Sequence, residues 1–169
     1  VPSARPINGQ FVALPKTLKN LQVLRWLNFP VPEIITDANY DWPAAPGIRP
    51  YASQRLAANF MVLHRRCFNL SDLGSGKTLS ALWAADFLMR QYAGKFRALV
   101  VAPLSILQTV RASAVFNNFL GNRTVEILHG TQEHRLKALA RPADIYCINH
   151  DGLGVGAHVR PRLALDGFA

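Results

Sequence analysis

Acidic residues are scarce in this chain. Ten Asp and Glu stand against nineteen Lys and Arg, which gives a net charge of +9 over 169 residues. No Asp is followed directly by Glu anywhere in the sequence. Cysteine is nearly absent as well: Cys67 and Cys147 are the only two, and neither sits in metal-type spacing. A disulfide framework and a cysteine zinc site are both excluded. The two thiols lie in apolar runs and read as buried, reduced core residues of an intracellular, cytoplasmic protein. No apolar run approaches the roughly 18 residues that cross a bilayer. The N-terminus lacks the basic-then-apolar pattern of a secretory signal.

Half of the residues are hydrophobic. That supports a sizeable core and argues against disorder, and the length suits one domain of ordinary size. The positive excess divides as +2 over residues 1–50, +5 over 51–100 and +2 over 101–169. A basic balance suits a polyanion such as nucleic acid. It equally suits a piece of a larger protein whose acidic parts lie elsewhere, and charge alone leaves both open.

Eight of the eleven prolines fall in residues 1–50. This stretch reads as an irregular N-terminal extension (1–48) with one helix over about Thr17–Asn28, where Leu18, Leu21, Leu24 and Leu27 recur every three residues. Phe29-Pro30-Val31-Pro32 ends that helix, and Pro43, Pro46 and Pro50 forbid a regular element before Tyr51. From Arg49 the pattern alternates. Gln54–His64 predicts a helix with Leu56, Phe60 and Leu63 on one face. Cys67–Leu70 predicts a short strand, and Lys77–Tyr92 a helix that is apolar nearly all round and stopped at Gly94. Ala98–Ala102 predicts a buried strand, Ser105–Phe119 a helix capped by Ser105, and Thr124–Leu128 a strand. Thr131 caps a helix to about Ala140, with Glu133 in its first turn, and Asp144–Asn149 predicts a further strand. Strands alternating with helices imply an α/β fold with a parallel sheet and right-handed crossovers.

The richest stretch is Ser71-Asp72-Leu73-Gly74-Ser75-Gly76-Lys77-Thr78, between a predicted strand and a predicted helix. A tight loop there points backbone N–H groups inward to cradle phosphate oxygens, and the helix N-terminus adds positive dipole. Gly74 and Gly76 let the backbone turn sharply, Lys77 brings a charge to the outer phosphates, and the Thr78 hydroxyl suits magnesium. The phosphate-loop pattern has glycine where this chain has Ser71. Leu73 and Ser75 complete the candidate ATP-binding loop. Gln54 precedes Gly74 by twenty residues, and its amide can both donate to and accept from an adenine edge.

Together these residues resemble superfamily 2 helicases, most closely the Swi/Snf-type DNA translocase branch, in a short-looped version similar to phage or bacterial members. Arg49–Gln54 resembles that branch's glutamine motif, Asn69–Thr78 its motif I, and Val100–Leu107 its motif Ia. His129-Gly130 with Arg135–Leu139 resembles the next block, and Ile145–Leu153 the block before motif II. The resemblance covers about residues 49–153. It implies a three-layer RecA-like P-loop fold in residues 49–169, use of ATP and Mg2+, and DNA as partner, duplex sooner than single strand. It also implies contact of Pro103, Leu104 and Ser105 with the nucleic-acid backbone. Two features depart from the family. Val110-Arg111 stands where a tryptophan often follows motif Ia. The Asp-Glu pair of motif II, which positions magnesium and activates water, does not occur.

The expectation is an N-terminal part of a longer translocase that ends before motif II. It would be hydrolytically inactive by itself, lack the C-terminal half of the same protein, and be prone to self-association through an exposed sheet edge. Two alternatives stand beside it. One is a P-loop module that binds nucleotide or nucleic acid without hydrolysis. The other is a different phosphate-loop class, such as a kinase or an AAA-type ATPase, against which Gln54 and the Pro103-Leu104-Ser105 run argue.

Overall fold

The computed structural model describes residues 5–7, 11–64, 66–92, 96–107 and 123–154. The chain groups into two compact units, Val1–Asp41 with Tyr51–Ala84, and Trp42–Pro50 with Ala85–Ala169. Residues 1–41 of the extension therefore share a unit with the segment that contains the glycine loop, and residues 42–48 belong to the other. Among the described residues no helix is long and apolar enough to cross a membrane.

The first unit opens with β1 (Arg5–Ile7) and β2 (Phe11–Ala13), which pair antiparallel with Arg5 opposite Ala13. Helix α1 (Leu18–Trp26) begins at Thr17, whose hydroxyl accepts from the Asn20 N–H at 3.3 Å. It ends where Asn28 adopts φ +61°. Phe29 N–H then reaches back to Leu24 O and Asn28 N–H to Arg25 O, a Schellman termination with asparagine in glycine's usual place. Helix α2 (Ala52–Leu63) packs against α1, and Gln22 Nε2 donates to Val62 O at 2.9 Å.

The apolar stripe of Leu56 and Phe60 is not the buried face of α2. Leu56 and Phe60 are exposed, and the buried residues are Gln54, Ala58, Asn59 and Val62. The reason is hydrogen bonding. The extension crosses α2 without regular structure, so its backbone polar groups need partners. Asn59 supplies them: Oδ1 accepts from Ile34 N–H at 2.9 Å and Ile35 N–H at 2.8 Å, and Nδ2 donates to Ile35 O at 3.1 Å. Arg55 adds an ion pair with Asp37 at 2.7 Å. The predicted strand at Cys67–Leu70 is absent from the structure. Those residues join no sheet, and Phe68 and Leu70 face solvent at 88% and 89% exposure.

Helix α3 (Lys77–Gln91) begins in the first unit and ends in the second. Trp83, Ala84, Phe87 and Met89 are buried along it, with Ser80 and Asp86. The second unit centres on a parallel sheet of three strands in the order β3 (Ala98–Val101), β5 (Ile145–Ile148), β4 (Val125–Leu128). Both flanking strands start in step, because Ala98 and Val125 each pair with Ile145. Asp144 stands at that origin. Its carbonyl accepts from Ala98 N–H, and its carboxylate accepts from the Thr124 N–H and hydroxyl at 2.9 and 3.0 Å. The central strand is buried throughout.

Helix α4 (Gln132–Leu139) is capped as expected by Thr131, whose hydroxyl accepts from His134 N–H. Ala138 and Leu139 pack on Leu128, Ala143, Tyr146 and Ile148. Asp86 is buried and ion-paired to Arg123 at 2.7 Å and to Arg90 at 3.0 Å, while Arg123 also reaches Asp144 at 3.5 Å. Residues 104–107 are helical, and the rest of the helix expected to Phe119 lies outside the described residues, as do Gly94, Val110 and Arg111. Helix α5 (His150–Gly154) follows β5.

Asn59→Ala should lower stability by about 2–4 kcal/mol, because it strands two buried N–H groups and one carbonyl of the extension. A shift of the urea midpoint at unchanged slope checks this. The thiols also divide. Cys147 is buried, but Cys67 is exposed, contrary to the expectation of two core cysteines. Burial pushes the Cys147 thiol up from 9.0 to about 11. The folded chain thus holds that proton more tightly than the unfolded one. Its contribution to stability is intact below pH 9 and lost as pH rises through 11. An aromatic disulfide reagent at pH 8 should titrate one thiol in the native protein and both after denaturation.

Candidate phosphate-binding site

The loop before α3 turns on two glycines. Gly74 has φ +79° and Gly76 φ +80°, a conformation that costs any L-residue with a Cβ roughly 1–2 kcal/mol. Ser75 N–H donates to Asp72 O at 3.3 Å, closing the turn between them. At the loop's entry Asn69 Oδ1 accepts from the Ser71 N–H at 3.2 Å and from its hydroxyl. This is an Asx turn where a strand had been expected. Leu73 stands at the tip, 97% exposed.

Lys77, the first residue of α3, folds over the loop. Its ammonium donates to Ser71 O at 2.7 Å and Asp72 O at 2.8 Å. Thr78 follows on the first turn with its side chain exposed. Ser80 donates to Gly76 O at 3.3 Å, which fastens the loop's last residue to the helix. The side-chain oxygen of Ser75 is buried and has no partner among the described residues, and neither has the Asn69 Nδ2. Both are donors. Two unpaired donors, a lysine and the leading end of a 15-residue helix make this loop receptive to an anion.

Gln54 reaches the loop from α2. It is 7% exposed. Its Nε2 donates to Ser75 O at 3.1 Å and its Oε1 accepts from Tyr51 N–H at 3.0 Å. The second bond is half of a capping box, with glutamine at the third helical position. A Cβ at Gly76 would lie 2.2 Å from Gln54 Nε2, so the amide approaches this closely because the residue is glycine.

The structure therefore brings Gln54, Ser75 and Gly76 together, and Lys77 together with Ser71 and Asp72. Sequence reasoning missed Asn69 and the Ser71 and Asp72 carbonyls. The signal for Asn69 was its place two residues before Ser71, where asparagine forms local turns. Pro103, Leu104 and Ser105 belong to the other compact unit and are exposed. The Pro103 carbonyl accepts from Ile106 and Leu107 N–H, so Pro103 occupies the cap position and Ser105 lies inside the first turn. The expected capping by Ser105 is corrected on that point. No protein-family model and no curated protein matches this sequence.

Gly74→Ala and Gly76→Ala should differ. A Cβ at Gly74 meets nothing within 4 Å, so that variant should lose only the backbone term, about 1 kcal/mol. Gly76→Ala must also displace the Gln54 amide and should lose about 1 kcal/mol more. Paired urea titrations of the two variants check the order.

Proposed function

We propose that this chain carries the ATP-binding part of an ATP-dependent DNA translocase related to superfamily 2 helicases, built on a RecA-like P-loop fold. One observation carries the reading. Two glycines at positive φ bring the chain into the N-terminus of α3 with a lysine as the first helical residue. That arrangement suits a triphosphate, because it combines several donors and one mobile cation at a helix N-terminus.

In this reading, an arriving phosphate takes the Lys77 ammonium from the Ser71 and Asp72 carbonyls. The exchange replaces two neutral acceptors by charged ones, which bind an ammonium more strongly. The Ser75 hydroxyl and the loop N–H groups donate to the same anion. Among the described residues no group of three or more His, Cys, Asp or Glu could hold a metal. Magnesium would arrive with the triphosphate and take the exposed Thr78 hydroxyl as a protein ligand. Pro103, Leu104 and Ser105, exposed at the start of a helix, would face the phosphates of DNA, where a helix N-terminus is itself favourable.

The sequence has no Asp-Glu pair, so this chain would bind the triphosphate, and none of its residues is given a part in hydrolysis. That same feature favours a second reading, a P-loop module that holds nucleotide without cleaving it.

Lys77→Ala should weaken Mg-ATP binding at least tenfold, about 1.4 kcal/mol, with the urea midpoint little changed because the ammonium bonds are exposed. Titration calorimetry on wild type and variant decides it, and equal affinities would remove the loop assignment.

A further inference from the structure

We propose that the N-terminal extension carries a binding surface for single-stranded nucleic acid, built on Trp26 and Phe29 with Lys16, Lys19 and Arg25. The surface lies outside residues 49–153, which the helicase resemblance covers, and uses none of the phosphate-loop residues. It stands independently of the ATP-binding reading.

The charge here has one sign. Residues 1–32 contain Arg5, Lys16, Lys19 and Arg25 and neither Asp nor Glu; the first carboxylate is Glu33. Lys16, Lys19 and Arg25 are exposed. None of the three has an ion pair among the described residues, whereas Arg55 of α2 is held by Asp37.

The apolar part projects from the surface. Residues 26–30 are all exposed, with Trp26 at 81% and Phe29 at 55%. A ring that far in water stands clear of the protein and lines no groove. Neither ring meets another ring among the described residues. Both are displayed on a fixed turn, because Phe29 N–H is bonded to Leu24 O and Asn28 N–H to Arg25 O. Lys19 and Trp26 are two helical turns apart on one face of α1, and Leu21, on the other side, is buried.

These features fit one occupant. Bases stack on projecting aromatic rings while phosphates take the neighbouring cations, and no pocket is needed. A peptide partner uses a groove or a sheet edge, which a projecting ring does not provide. A bilayer takes the apolar face of an amphipathic helix, but α1 packs against α2 with Leu21 buried. A second copy would set like charges against these.

Trp26 is its own reporter. Of the three tryptophans, Trp42 and Trp83 are 6% and 0% exposed, so acrylamide quenching reads Trp26. An oligothymidylate of about 20 nucleotides, enough for one site, should quench the emission of the 169-residue chain and shield it from acrylamide. Affinity, read by anisotropy of the labelled oligonucleotide, should fall about twentyfold from about 50 to about 200 mM salt, as three neutralised phosphates require. Trp26→Ala should weaken binding at least about fivefold. Lys19→Gln should lower the salt slope by about 0.7. Unquenched Trp26 at saturating oligonucleotide, or unchanged affinity in Trp26→Ala, would overturn the proposal. Poly-glutamate offers charge without bases and should leave the emission unchanged; quenching equal to the oligonucleotide's would overturn the proposal in favour of an acidic peptide. A blue shift with phosphatidylserine vesicles and no response to oligonucleotide would overturn it in favour of a membrane surface. If Trp26→Ala does not fold, the wild-type quenching decides alone.

Discussion

A segment without regular structure can be buried only if its N–H and C=O groups find partners. In this chain that requirement is met partly by Asn39 of the extension itself and partly by one helix. Asn59 of α2 satisfies three backbone groups of the extension and also donates to Arg55 O at 3.2 Å, so its carboxamide is fully used. Five residues earlier the carboxamide of Gln54 does the same work for the glycine loop and for the start of α2. The first unit thus holds two buried, hydrogen-bonded amides on one helix. The identity of these positions is set by donor and acceptor geometry, which a leucine of equal volume cannot replace.

The second unit solves a comparable problem with charge. Asp86 is buried with two arginines as partners, and one of them, Arg123, extends to Asp144. A carboxylate so enclosed is tolerated because both partners are cationic, and removing either would leave a costly remainder. Tyr146 acts on a smaller scale. Its hydroxyl accepts from Ala143 N–H and donates to Arg141 O, closing the turn that leads into β5.

The alternation of helices and strands was legible in the sequence because β3, β4 and β5 are short runs rich in apolar residues, of which β5 alone is buried throughout, and α3 is a long one. The glycine loop was legible because Gly-x-Gly-Lys-Thr restricts backbone choices strongly. The inner face of α2 was not. Hydrophobic periodicity favoured Leu56 and Phe60, but periodicity weighs apolar area and is blind to the hydrogen-bond demand of a neighbouring segment. Cys67–Leu70 was misread for a related reason, since a run of four residues carries too little pattern to separate strand from extended coil. The β1–β2 pairing was overlooked although Asn8-Gly9 lies between the two strands, a strong hairpin signal, because the prolines around it dominated the reading. Gln54 was found by its spacing, yet spacing could not reveal that its amide faces backbone.

Asp144 has a consequence for how the sheet can assemble. Strands β3 and β5 lie 47 positions apart, so their pairing closes a long loop and comes at a high entropic cost. A parallel pair with apolar residues along it could slip by one position and turn every side chain to the wrong face. Because Asp144 receives Ala98 on one side and Thr124 on the other, the registers on both flanks are pinned at the same residue. From there each ladder can close like a zip in one direction, toward Ile148, where Ala102 N–H makes the last bond. The registers of two distant strands thereby become a single event at one aspartate.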